Sequence, residues 1–180
     1  MQLSLPALAP LLPGQLCLLI APRRVAARLV NLLAAQLALS GEVQVLDGGN
    51  LFDAHAIARF VRRQTPQLTQ VLKRISIVRT FTCYQVAARL AEGAPGTAPL
   101  LVLDMLATFG DENVPAAERL ALFEHCLHYL RRLADEAPTL VSAAPNESAG
   151  PYLALLEQAA DRLWRLEPAP PPAQPPLFCG

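Results

Sequence analysis

The sequence is poor in lysine: Lys73 is the single one among 15 basic residues. It also lacks a surplus of either charge, since 15 acidic residues balance the basic ones. A neutral chain offers no global field to nucleic acid or to an anionic membrane, so any such contact has to be a local patch. The four cysteines, Cys17, Cys83, Cys126 and Cys179, include no CxxC pair. That argues against a zinc site and a disulfide framework, and it fits a cytoplasmic, reducing setting. Long apolar runs are missing as well. The longest clean one covers residues 16–21, far short of a membrane span. The first 21 residues carry no charge, but Pro6, Pro10, Pro13 and Gly14 break any helix there. With no basic leader either, the stretch does not read as a signal peptide. Residues 1–13 read instead as a loop leading into a buried strand.

What is present is core-forming material. The chain has 180 residues, 53% of them hydrophobic, and a mean hydropathy of +0.31, which points to one well-buried domain rather than a disordered chain. Strand-like and helix-like stretches alternate. Short apolar runs at residues 15–20, 42–47, 74–79, 99–104 and 139–143 read as strands, with a sixth at 162–166. Between them, 22–40, 53–63, 83–92, 115–134 and 151–160 read as helices, with Pro22 favoured at the first position, Gly41 just past the first helix and Asp53 as a cap. Strands separated by helices need crossover connections, so the expected fold is α/β, a single three-layer domain with a mainly parallel sheet flanked by helices. The domain proper is expected over 14–167. The remainder, 168–180, holds six of the 17 prolines and reads as a flexible polyproline-type tail.

In such sheets, ligands sit beyond the carboxyl ends of the strands. Asp104 ends a wholly apolar strand there, the arrangement by which nucleotide hydrolases hold a magnesium-bound water. Taken in order, GQLCLLI before a long helix, VLDGGNLFDAHAIAR, VRTFTCYQVAARL and LLVLDMLATFGDENVPAAERLALFEHC resemble the ATPase core of the RecA-like recombinases, nearest the archaeal RadA type. The resemblance covers residues 14–145 and implies a RecA-like fold. The departures from that family are specific. Its first strand runs into GxxxxGK[ST], whose amides and lysine cradle phosphates. Here the place reads Ala21-Pro22-Arg23-Arg24-Val25-Ala26-Ala27-Arg28, without glycine or lysine. Where the family's second strand ends in a water-activating glutamate, Gly48-Gly49 stands. Asp104 alone matches residue by residue, as the metal-site aspartate, so the resemblance implies a pseudo-ATPase that has lost ordinary ATP hydrolysis.

Several side chains stand as candidates beside plainer readings. Arg23, Arg24 and Arg28 begin the first long helix and suit an anion or nucleotide site, or else a solvated face. Gly48, Gly49 and Asn50 allow close approach to a ligand, or only a tight turn. Asp104 is the candidate metal ligand, or a carboxylate capping the next turn. Arg59, Arg62, Arg63, Lys73 and Arg74 form a basic strip for nucleic acid, or surface charge. His125 and His128 lack a third ligand for a metal, and Cys17 and Cys83 sit in apolar surroundings as core residues rather than nucleophiles. In the tail, Gln174, Leu177 and Phe178 form a QxxLF pattern similar to the peptide by which bacterial DNA-processing proteins dock on the sliding clamp.

The leading expectation is therefore an accessory protein without cofactor or catalytic residues. It would act in DNA repair or recombination by binding a RecA-like paralogue, a repair polymerase or a sliding clamp, and it would reach DNA through that partner. One alternative is a nucleotide-binding switch or ATPase using ATP and magnesium at a non-standard phosphate site. The other is a partner-binding subunit unrelated to DNA.

Overall fold

The computed structural model describes residues 11–93, 96–145 and 150–166. Its strands are β1 (Leu16–Ile20), β2 (Val43–Asp47), β3 (Ile75–Arg79), β4 (Leu100–Leu103), β5 (Thr139–Ala143) and β6 (Arg162–Arg165). They form one sheet in the order β3-β2-β4-β5-β1-β6. Every pairing is parallel, so the sheet is wholly rather than mainly parallel. The helices are α1 (Arg23–Ala38), α2 (Ala54–Gln64), α3 (Leu68–Lys73), α4 (Cys83–Glu92), α5 (Ala116–Glu136) and α6 (Gly150–Ala159). Among the described residues, no helix is long and apolar enough to cross a membrane.

The central strands are continuous apolar runs because both of their faces are covered. In β1, Leu16, Leu18 and Ile20 join one core with Cys83, Val86, Phe123, Cys126, Tyr152 and Leu156 of α4, α5 and α6. Cys17 and Leu19 point the other way, into a core with Ala26, Val30 and Leu33 of α1, Ile57 and Val61 of α2 and Val71 of α3. The first core is tied by three rings. Phe123 meets Phe109 edge-on at 5.0 Å and Tyr152 at 5.0 Å, so the 3-10 turn Met105–Gly110, α5 and α6 share one aromatic contact.

Local chemistry sets the helix starts. Pro22 and Pro115 each stand one residue before the helix, at the cap, with φ near the value the ring dictates and ψ still extended. Both were expected at the first helical position. Asp53 caps α2 as expected, its carboxylate accepting from the Ala56 amide. Thr82 accepts from the Gln85 amide, while the Gln85 side chain accepts from the amide of Phe81. Two elements had no counterpart in the sequence reading. Helix α3 is only six residues long and too short for its period to show. The 3-10 turn after β4 starts from Asp104 in a left-handed conformation.

Candidate functional site

Parallel strands place their carboxyl ends together, and the fold there brings β1, β2, β4 and β5 to one small polar centre. Asp104 follows β4 directly. Its amide donates to Ser142 Oγ on β5 (3.0 Å), and Ser142 Oγ donates to the Val102 carbonyl (3.3 Å). The Asp104 backbone has φ +49°, an uncommon state for a residue with a side chain. Its carboxylate, only 8% exposed, accepts from Arg23 Nε at 2.6 Å. The same guanidinium donates through Nη2 to the Gly49 carbonyl at 2.5 Å. Arg23 thus bridges the end of β4 and the turn after β2.

That turn is held from below. Asp47, fully buried at the end of β2, accepts from the amides of Leu51 and Phe52, both at 2.9 Å. Arg79 Nε stands 3.7 Å from it. Asn31, buried in α1, donates to the carbonyls of Ala27 and Leu51 and accepts from the Asp53 amide. The loop from Gly48 to Asp53 is therefore tied to both β2 and α1. The two glycines have a steric reason. A Cβ on Gly49 would lie 2.6 Å from Asp104 Oδ2 and 2.7 Å from its Cβ, and one on Gly48 would lie 3.2 Å from the Asp104 carbonyl oxygen. The close approach made here is to Asp104.

The connection from β1 to α1 is short. Ile20 ends the strand, Ala21 still donates to the Ala143 carbonyl of β5 (3.2 Å), and Pro22 caps the helix. A phosphate cradle needs a run of backbone amides that curls around the anion. Here Ala21 and Pro22 are the whole connection, and the amides of Val25 and Ala26 already donate to the Pro22 carbonyl.

Arg24 and Arg28 lie exposed on α1, without an ion pair or hydrogen bond to another described residue. Asn50, exposed and also at positive φ (54°), completes the turn. No group of three His, Cys, Asp or Glu residues that could hold a metal ion exists among the described residues. Cys17, Cys83 and Cys126 are free and buried. Burial raises the thiol pKa of all three, that of Cys126 to about 12. They are core side chains, not activated nucleophiles.

The basic strip belongs to a different place. Lys73 and Arg74 lead into β3 at the amino end of the sheet, opposite Asp104. Arg62 and Arg63 lie in the last turn of α2 and Lys73 in the last turn of α3. Arg74 donates to the Ala38 and Leu39 carbonyls at the end of α1. These four are cations at helix carboxyl termini, where the helix dipole favours them. Arg59 is exposed one turn earlier on α2. Gln174, Leu177 and Phe178 lie outside the described residues.

Sequence reasoning placed Asp47 at the end of the second strand without giving it a role, and it missed Asn31 and Ser142. The available signals were an aspartate ending a strand just before Gly-Gly, and an asparagine inside the apolar stripe of α1. No protein-family model matches the chain, and neither does any curated protein.

Proposed function

We propose that this protein is a RecA-like pseudo-ATPase: an accessory that keeps a nucleotide-hydrolase scaffold, hydrolyses nothing, and acts by binding a protein partner, with DNA repair or recombination as its setting. The observation that carries the reading is the Arg23 bridge. The two segments that the resemblance matches to a phosphate loop and a metal-site strand meet in space, as they would in an ATPase. Yet the first supplies a guanidinium instead of a cradle, and its Nε is 2.6 Å from the carboxylate that would hold a metal-bound water. A carboxylate already neutralised by arginine has little charge left for magnesium, and magnesium keeps its own waters unless well-placed oxygens replace them.

The test is calorimetry and a turnover assay with ATP and ADP, with and without magnesium. The expected result is no turnover and no heat of binding at millimolar nucleotide. Turnover that disappears in Asp104→Ala would instead establish the nucleotide-switch reading. The setting is tested separately, with purified sliding clamp and duplex DNA. Clamp binding that is lost on deleting residues 168–180 supports it, and absence of both interactions leaves a partner-binding subunit unrelated to DNA.

A further inference from the structure

Resting on that partner-binding reading, we infer that the β3 edge of the sheet, together with the cavity beside it, takes an extended, acidic segment of a partner protein as a seventh strand. Strand β3 is the last in the sheet and pairs only with β2 among the described residues. The Arg74 carbonyl and the Thr80 amide are used toward β2. By the alternation of a parallel ladder, the amides of Ile75, Ile77 and Arg79 then face outward. An edge with unpaired donors and acceptors is a template for another strand.

The side-chain part of the site lies on one face of this edge. A cavity of about 340 Å³ opens between β2, β3, α4 and α5, with Leu46, Val78, Leu90, Leu100 and Leu133 among its apolar lining and Ser76 beside them. That volume is at the lower end of the range for ligand pockets and suits one or two apolar side chains. A strand added beyond β3 would present alternate side chains on the same face as Ser76 and Val78, next to this opening.

Charge selects the occupant. Lys73, Arg74 and Arg89 line the cavity against Glu42 alone, and Arg79 stands at the far end of β3. Three of these cations already have partners, Arg74 on helix carbonyls, Arg89 on Glu92 and Arg79 beside Asp47. Lys73 is exposed and has none among the described residues. The strand is thus basic at both ends. A second copy of the chain would set Arg79 beside Lys73 and Arg74 if antiparallel, or beside another Arg79 if parallel, and like charges directly opposite are unfavourable. An acidic segment with apolar residues at alternate positions meets both the cations and the cavity.

The probes are acetylated seven-residue peptides that alternate Glu with Leu, Ile, Val or Phe, titrated into the full, isotope-labelled chain by NMR. The expected result is saturable shifts of the Ile75, Ile77 and Arg79 amides and of the Val78 and Leu90 methyls by at least one peptide. N-methylating its ladder-facing amides, replacing Glu by Lys, or using the Lys73→Glu protein should each weaken binding tenfold or more. Sharing Lys73→Glu with an intact spectrum keeps that arm free of folding effects. No shift with any peptide at millimolar concentration overturns the inference, as does binding indifferent to N-methylation or to charge. Equal shifts by octanoate alone also overturn it, in favour of a small-acid pocket. Nucleotide calorimetry does not read this edge, so the two proposals fail separately.

Discussion

The two ends of the sheet use charge in opposite ways. At the carboxyl end, Arg23, Asp104, Asp47 and Asn31 are turned on one another and on backbone groups, and two glycines bring the layers close enough for them to meet. At the amino end, Lys73, Arg74 and Arg89 surround an opening lined by leucines. In sheets of this kind the carboxyl end is the usual place for a ligand. Here Arg23, Asp104 and Asp47 are tied to one another's segments, and an opening lined by both cations and apolar side chains lies at the other end. Polar groups bonded to one another hold a fold together, while polar groups left exposed beside an apolar opening remain available to a partner. If the carboxyl end is structural, substitutions there should appear first as lost stability.

The largest effect is expected at Asp47. Its carboxylate is the acceptor for the Leu51 and Phe52 amides, and a part-buried donor left without an acceptor costs roughly 1–3 kcal/mol. Asp47→Ala should therefore lose roughly 2–4 kcal/mol, or on the order of 5–10 °C in Tm for a domain of this size. Urea and thermal unfolding measure it. A loss below about 0.5 kcal/mol, the range of an ordinary surface change, would mean that the turn is not held this way and that the carboxyl end is not the rigid half of the comparison.

A smaller effect is expected where Gly49 meets Asp104. Gly49→Ala places a Cβ against the Asp104 side chain, an overpacking expected to cost about 1–3 kcal/mol. Asp104→Gly removes every atom of that clash and also suits the positive φ at position 104, while giving up the Arg23 bridge. The double variant should be more stable than the sum of the two single losses predicts, by about 1 kcal/mol or more. Strict additivity in a double-mutant cycle would place the cost of Gly49→Ala somewhere other than Asp104.

Much of the fold was legible because the strands are short, mostly apolar runs with clear stops, β6 carrying an arginine at each end, and all six lie within two residues of where the pattern puts them. The missed pieces are those without periodicity. LTQVLK is too short to show a helical repeat, and the turn after Asp104 depends on a left-handed backbone that no local pattern announces. For the site, Asp104 and the Gly48-Gly49 pair stood out by their strand-end positions. Their partner did not. Arg23 was visible as a cation at a helix start, but its pairing spans 81 positions and is created by strand order alone. Ser142 and Asn31 were hidden for a related reason: each reads as a polar interruption in an apolar run, and only the tertiary neighbours reveal what it bonds.

The smallest effect is expected at Asp161, an exposed counterpart to the buried carboxylates and also at the amino end. Asp161 Oδ2 accepts from Arg131 Nη1 at 2.6 Å and from the Leu16 amide at 2.7 Å. The Arg131 hydrogen bond, then the Leu16 amide, holds its carboxyl below the usual carboxylate range. Because the folded chain binds this proton more weakly than the unfolded one, the contribution to stability is fully present above the unfolded-state pKa and is lost as pH falls through the lower, folded-state value. Asp161→Asn should therefore be slightly less stable than the parent from about pH 5 upward, and the gap should close below about pH 4. Added salt should narrow it at neutral pH, as for other exposed pairs. Urea midpoints at pH 7, 5, 3.5 and 2.5 give the profile. A gap that stays constant down to pH 2.5 would show that the loss comes from the backbone contact with Leu16 rather than from charge, and the contrast between buried and exposed carboxylates would then rest on hydrogen bonding alone.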